Sequence, residues 1–187
     1  MKLYKARVAQ IANEIITTLT KEGSLDVEPD NRPEAELDLV AIMEEYLRRD
    51  RALRERVREY MHSRSVPYDQ YGKLRGRMAD SWNHPTGDDV ERFLARQFVE
   101  NFMISRFVDE VYADDRALYK QVIDILKTHH VDEKAIREEA QSKVKNVREG
   151  TVEYEIALSQ AIREVKQRYG LIKAREERGG RGQRGGR

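Results

Sequence analysis

The sequence contains no cysteine. Disulfides, thiolate zinc sites and cysteine nucleophiles are therefore excluded, and a reducing compartment is expected. Long apolar runs are missing as well. The longest are a few residues, far short of the ~20 that cross a bilayer. The opening MKLYKARVAQ carries Lys2, Lys5 and Arg7 and has no apolar h-region, so it does not read as a secretory signal. These absences lead us to expect a cytoplasmic protein that does not enter a membrane. Apolar residues are also thin overall, at 39% against 37% charged. Such a lean core suits helices, each of which needs only a narrow apolar stripe. The length of 187 residues fits one domain or two small ones.

Chemical motifs are equally sparse. A helical-bundle carboxylate metal site needs two Glu-x-x-His motifs and two further inward glutamates. Only Glu59 to His62 matches. His129 and His130 are adjacent and would diverge by about 100° on a helix. His84 falls in a Pro/Gly loop. We read the histidines as surface or turn residues and expect no metal. Ser142 to Lys145 spells Ser-x-x-Lys without that enzyme class's partner motifs. No phosphate-binding glycine loop is present. Carboxylate neighbours such as Glu44-Glu45 and Glu138-Glu139 diverge on a helix and read as solvated faces. We expect no enzyme and no cofactor.

What the chain does have is helical periodicity. All four phenylalanines lie between Asp88 and Tyr112, with Leu94, Val99, Met103, Ile104, Val108 and Val111 among them. A helix apolar on more than one face is usually buried against several neighbours. This stretch is read as the central core helix, capped by Asp88 with Glu91 as its capping-box partner. A first helix is expected over 5–21, where Val8, Ile11, Ala12, Ile15, Ile16 and Leu19 share a stripe and Gly23 fits the stop. The next begins near Glu34. Its seam of Leu39, Met43, Tyr46, Leu53, Val57 and Tyr60 has one polar position, Asp50. Either the helix is continuous and Asp50 is an exposed flaw, or the chain breaks near Arg49 and Asp50 caps a new helix. A bend or break is the favoured reading. A short helix over 68–83 carries Tyr71, Leu74, Met78 and Trp82. Later helices are expected after Asp114, Asp132 and Thr151, the last ending at Gly170.

Charge is unevenly placed although the net is only +1. Residues 22–45 hold nine acids against Arg32 alone, a balance of −8. Residues 48–77 hold ten Lys/Arg against four acids, a balance of +6. Residues 173–187 hold six basic residues and two acids. That tail has almost no apolar residues and is expected to be disordered.

Two features could carry binding. In the basic run, Arg48, Arg51, Arg54 and Arg58 are the candidates for phosphate contact, with Tyr60, Tyr68, Tyr71 and Trp82 offering stacking. Against this, those aromatics sit at core spacing, Glu55 and Glu59 are placed to pair with arginines, and the run could face the acidic segment of its own chain. In the tail, Arg178, Arg181, Arg184 and Arg187 alternate with glycine pairs, a mobile and stacking-capable pattern that leans towards RNA. The plainer reading is a solubilising tail.

RALRERVREY (51–60) resembles KAIREEAQSK (134–143), with Ala52, Arg54 and Glu55 matching Ala135, Arg137 and Glu138. Two similar halves, 1–84 and 85–172, follow as an expectation. The opening MKLYKARVAQIANEIITTL and the segment from Val131 to Gly170 resemble a small bacterial family known only as domain of unknown function 507. The likeness covers most of 1–172 and implies a bacterial, helical protein. The family brings no activity, so it assigns no catalytic residue. Together these readings predict an all-α bundle of two halves of antiparallel helices with a disordered tail. Its expected role is a non-enzymatic interaction protein with an unidentified protein partner. The alternative is an accessory RNA- or DNA-binding protein, and a homodimer through the central helix is also open.

Overall fold

The computed structural model describes residues 1–172. The tail 173–187, including Arg178, Arg181, Arg184 and Arg187, lies outside the described residues. The fold is all-α: α1 (Val8–Lys21), α2 (Arg32–Ser63), α3 (Tyr71–Ser81), α4 (Asp89–Ile104), α5 (Asp115–Thr128), α6 (Glu133–Lys143) and α7 (Val152–Arg168). One small two-stranded sheet joins β1 (Leu25–Asp26) to β2 (Glu110–Val111), antiparallel, with Leu25 opposite Val111. The chain divides into two compact units, one of residues 1–133 and one beginning at Lys134. The boundary expected at residue 84 falls inside the first unit.

In that unit α1 packs on α2 and α5, and α4 packs on α2 and α5. The apolar stripe of α1 is buried as its spacing predicts, from Val8 through Leu19. It meets Leu39 and Met43 of α2, Leu94 and Phe98 of α4, and Leu118 and Val122 of α5 in one core. α1 stops in a Schellman motif. Gly23 has φ +70, its N–H donates to Thr20 O and the Ser24 N–H donates to Leu19 O. Only glycine takes that backbone without a Cβ penalty.

α2 is the backbone of this unit. It runs unbroken for 32 residues, about 48 Å at 1.5 Å per residue. The break favoured near Arg49 does not occur. Asp50 is neither an exposed flaw nor a cap but a buried residue in mid-helix. It is tolerated there because the Arg54 and Arg75 guanidinium groups pair with it. The buried seam then continues Leu53, Val57, Met61. Tyr60, the seam residue by a seven-residue count, is exposed. A straight helix drifts by about 20° per heptad, which brings Met61 inward in its place. Leu53, Val57 and Met61 form a second, smaller core with Leu74 and Ala79 of α3.

The central helix is shorter than its apolar pattern suggested. It ends at Ile104, where Ser105 turns extended at ψ 128°. The Ser105 hydroxyl donates to Asp38 of α2 at 2.6 Å, and the Asp109 N–H donates to Asp26 O at 2.9 Å. The chain after Ile104 is thus drawn off into the small sheet, where period-two pairing uses Val111. Ile104 is left 82% exposed, and Met103 is exposed too. Asp88 makes no capping hydrogen bond. It lies 3.9 Å, and Glu91 3.6 Å, from the amino group of Met1.

In the second unit, Thr151 caps α7 by accepting from the Tyr154 N–H at 3.2 Å. α6 and α7 are tied by Glu139, which accepts from Arg168 and from the Tyr169 hydroxyl, and by Lys143 with Glu164 at 3.8 Å. In the first unit, Asp114 likewise caps α5 by accepting from the Ala117 N–H at 2.9 Å.

Candidate functional site

The basic run expected at residues 48–77 occupies the second half of α2, the turn after it and α3. The structure sorts its arginines into two groups. Four are turned to internal work. Arg48 forms a fork with Glu45, its Nε and Nη2 each 2.6 Å from a carboxylate oxygen. This pairing lowers the Glu45 carboxyl below its ordinary range and raises the Arg48 guanidinium. Arg56 reaches Glu59 at 3.4 Å. Arg54 and Arg75 both close on Asp50. The other group projects outward. Arg51 and Arg58, two turns apart on α2, are exposed and make no ion pair among the described residues. The same holds for Lys73 and Arg77 on α3. Of the four candidates on α2, then, Arg51 and Arg58 are available to a partner, and Arg48 and Arg54 are already partnered.

Aromatic rings lie on the same hairpin. Tyr68 is 83% exposed, and it stacks on Tyr71 with centroids 5.8 Å apart. Tyr60 carries the Arg64 guanidinium at 5.9 Å from its ring centroid. Trp82 is exposed at the end of α3, its carbonyl accepting from Arg49 at 3.0 Å. The core spacing of Tyr60 and Trp82 had argued for burial. Met61 takes the inward position in place of Tyr60, and Trp82 falls beyond the last residue of α3.

The buried side of the hairpin is organised by Asp50. Its Oδ2 lies 2.7 Å from Arg54 Nη2 in an ion pair, and its Oδ1 accepts from Arg75 Nη2 at 2.8 Å. His84 Nε2 lies 3.5 Å from Oδ1. The His84 ring stacks on Tyr46, centroids 5.0 Å apart and 14° from parallel. Burial lowers the His84 imidazole below its ordinary value, against the opposing pull of Asp50. Burial also pushes the Tyr46 hydroxyl up to about 12, with Asp50 adding to the rise.

His84 is buried rather than a loop-surface residue, and the reason is local. α3 ends in the same Schellman geometry as α1. Asn83 takes φ +46, its N–H donates to Asp80 O, and the His84 N–H donates to Ala79 O at 2.9 Å. The residue after the left-handed position is turned back onto its helix, which places the ring beside Asp50. Sequence reasoning missed this cluster although a signal existed. Asp50 sits on the apolar seam of α2, where a charge persists only if paired, and Arg54 lies one turn on.

Other residues singled out by motif are not brought into a site. His62 is exposed near the end of α2. Ser142 donates to Glu139 O within α6, and Lys145 lies beyond the end of that helix. His129 faces Glu14 at 3.0 Å. Among the described residues no three His, Asp or Glu are grouped to hold a metal, and no helix is long and apolar enough to cross a membrane.

A family model described as "Protein of unknown function (DUF507)" matches residues 1–171. No curated protein matches the chain. The match takes in every described element, and the chain belongs to this family.

Proposed function

We propose that this member of the family is a non-enzymatic helical interaction protein, and that it engages a protein partner through the basic end of the α2–α3 hairpin. One observation carries the reading. α2 is a single rod whose charge reverses between Glu45 and Arg48, and the hairpin that its basic half forms with α3 carries exposed tyrosine, tryptophan and arginines that make no ion pair among the described residues. Those three residue types dominate the energetics of protein interfaces. Arg51, Arg58, Lys73 and Arg77 are the cations free to meet an acidic partner, and Tyr68 and Trp82 are its apolar anchors. Opposite charge along the rod also steers the partner's approach and fixes its orientation.

A photo-reactive residue in place of Tyr68 tests this directly, with Gln10 on the exposed face of α1 as the control position. The reading predicts a discrete protein adduct at Tyr68, none at Gln10, and loss of the adduct when Arg51 and Arg58 are changed to Glu. Equal labelling at both positions would contradict it.

The second reading is accessory RNA or DNA binding. It is favoured by the stacked Tyr68–Tyr71 pair beside unpaired cations, a pattern that serves bases and phosphates. Fluorescence anisotropy of the full chain and of a version ending at Ile172 separates the outcomes. Steeply salt-dependent binding lost on truncation places it in the tail arginines. Binding kept on truncation and lost with Arg51 and Arg58 places it on α2.

A further inference from the structure

We propose that the cavity beside Asp50 binds a small molecule that carries a phosphate or carboxylate on an apolar or aromatic body. The cavity is about 430 Å³, within the range of roughly 300–1,000 Å³ usual for small-molecule sites. Its walls divide by chemistry. Leu47, Val90, Tyr46 and Tyr71 supply apolar and aromatic surface, while Lys2, Asp50, Arg54 and Arg75 supply charge.

The charges do not cancel. Two guanidinium groups share one carboxylate, which leaves one positive charge over. Their hydrogen bonds do not saturate either. Each guanidinium has five N–H donors. Arg54 pairs through Nη2 with the Asp50 carboxylate and donates from Nε to the Asp50 backbone carbonyl. Arg75 donates from Nη2 to Asp50, and its buried Nε has no hydrogen-bond partner. A buried donor without a partner is costly, and an oxyanion in the cavity would satisfy it. Asp50 then acts as a positioning residue. It holds one nitrogen of each guanidinium against its two oxygens, which fixes both groups at the cavity wall for recognition of a phosphate or carboxylate. The neighbouring His84 is kept towards its neutral form by burial and contributes no further charge.

Calorimetric titration of the full chain with phenyl phosphate, benzoate and benzyl alcohol tests the site. At least one of the two anions is expected to saturate one site per chain, and benzyl alcohol to bind at least tenfold more weakly. The stronger anion identifies the group the site prefers. Arg75→Gln is expected to weaken anion binding at least tenfold. Leu47→Phe, which narrows the apolar wall and leaves every charge in place, is expected to do the same. Arg116→Gln, on the exposed face of α5, is expected to change nothing. Helix content and melting temperature show which variants fold, and if Arg75→Gln does not, Leu47→Phe decides. Absence of saturable binding by both anions would overturn the proposal. So would binding that survives Leu47→Phe intact, or that falls as far with Arg116→Gln.

Discussion

At the scale of the residue, Asp50 is the position on which the α2–α3 hairpin depends. It is a charge on an apolar seam, held by Arg54 and Arg75 with His84 close by. Removing one member of a buried pair leaves the others uncompensated, at a cost of about 3–5 kcal/mol when all are fully buried. Both arginines are partly in water, at 42% and 31% exposed. Asp50→Asn is therefore expected to cost about 2 kcal/mol in urea denaturation, and an unchanged midpoint would show that the cluster is not structural. His84 adds a pH dependence. Its native pKa lies below the ordinary value of 6.5, so near and below that value the unfolded chain binds more protons than the native one. Stability is full above about pH 6.5 and declines as pH falls through the lowered native value. His84→Gln should flatten that part of the stability profile, and a profile identical to the wild type would remove His84 as its cause.

At the scale of the element, α2 decides the architecture. A helix that ran only to Arg49 would close the large core and leave α3 unsupported. Continuity lets Leu53, Val57 and Met61 build the second core with Leu74 and Ala79. Hydrogen exchange should show protection running without a gap across residues 47–53. A fast-exchanging site at Arg49 or Asp50 would contradict the unbroken rod. Leu53 is fully buried, and Leu53→Ala is expected to cost about 3 kcal/mol. The stripe of α1 and the caps at Asp114 and Thr151 were legible in the sequence, because each is a local pattern read over one or two turns. The continuity of α2 was not, because it rests on Arg75 and His84, which lie 25 and 34 residues beyond Asp50. The early end of α4 was hidden for the same reason, since Ser105 and Asp109 find their partners in α2 and β1. The exposed ring of Tyr60 is misplaced by counting sevens along a helix that turns every 3.6 residues, and that of Trp82 because α3 ends one residue before it.

At the scale of the whole molecule, a net charge of +1 conceals an acidic segment and a basic one, and α2 spans the change of sign between them. The structure refines the basic surface read from sequence. Arg48 and Arg54 turn out to hold the fold's own carboxylates, while Lys73 and Arg77 join Arg51 and Arg58 on the outside. The central claim is that this outer set, with Tyr68 and Trp82, is where a protein partner docks. The most direct measurement is quantitative co-purification from nuclease-treated lysate. Wild type would be compared with a variant carrying Arg51→Glu, Arg58→Glu, Lys73→Glu and Arg77→Glu. None of these four side chains has an internal ion-pair partner among the described residues, so the fold is expected to be retained, with circular dichroism as the check. The account predicts a partner that survives nuclease treatment and is depleted at least tenfold by the folded variant. The same proteins recovered in equal amounts with both would contradict it.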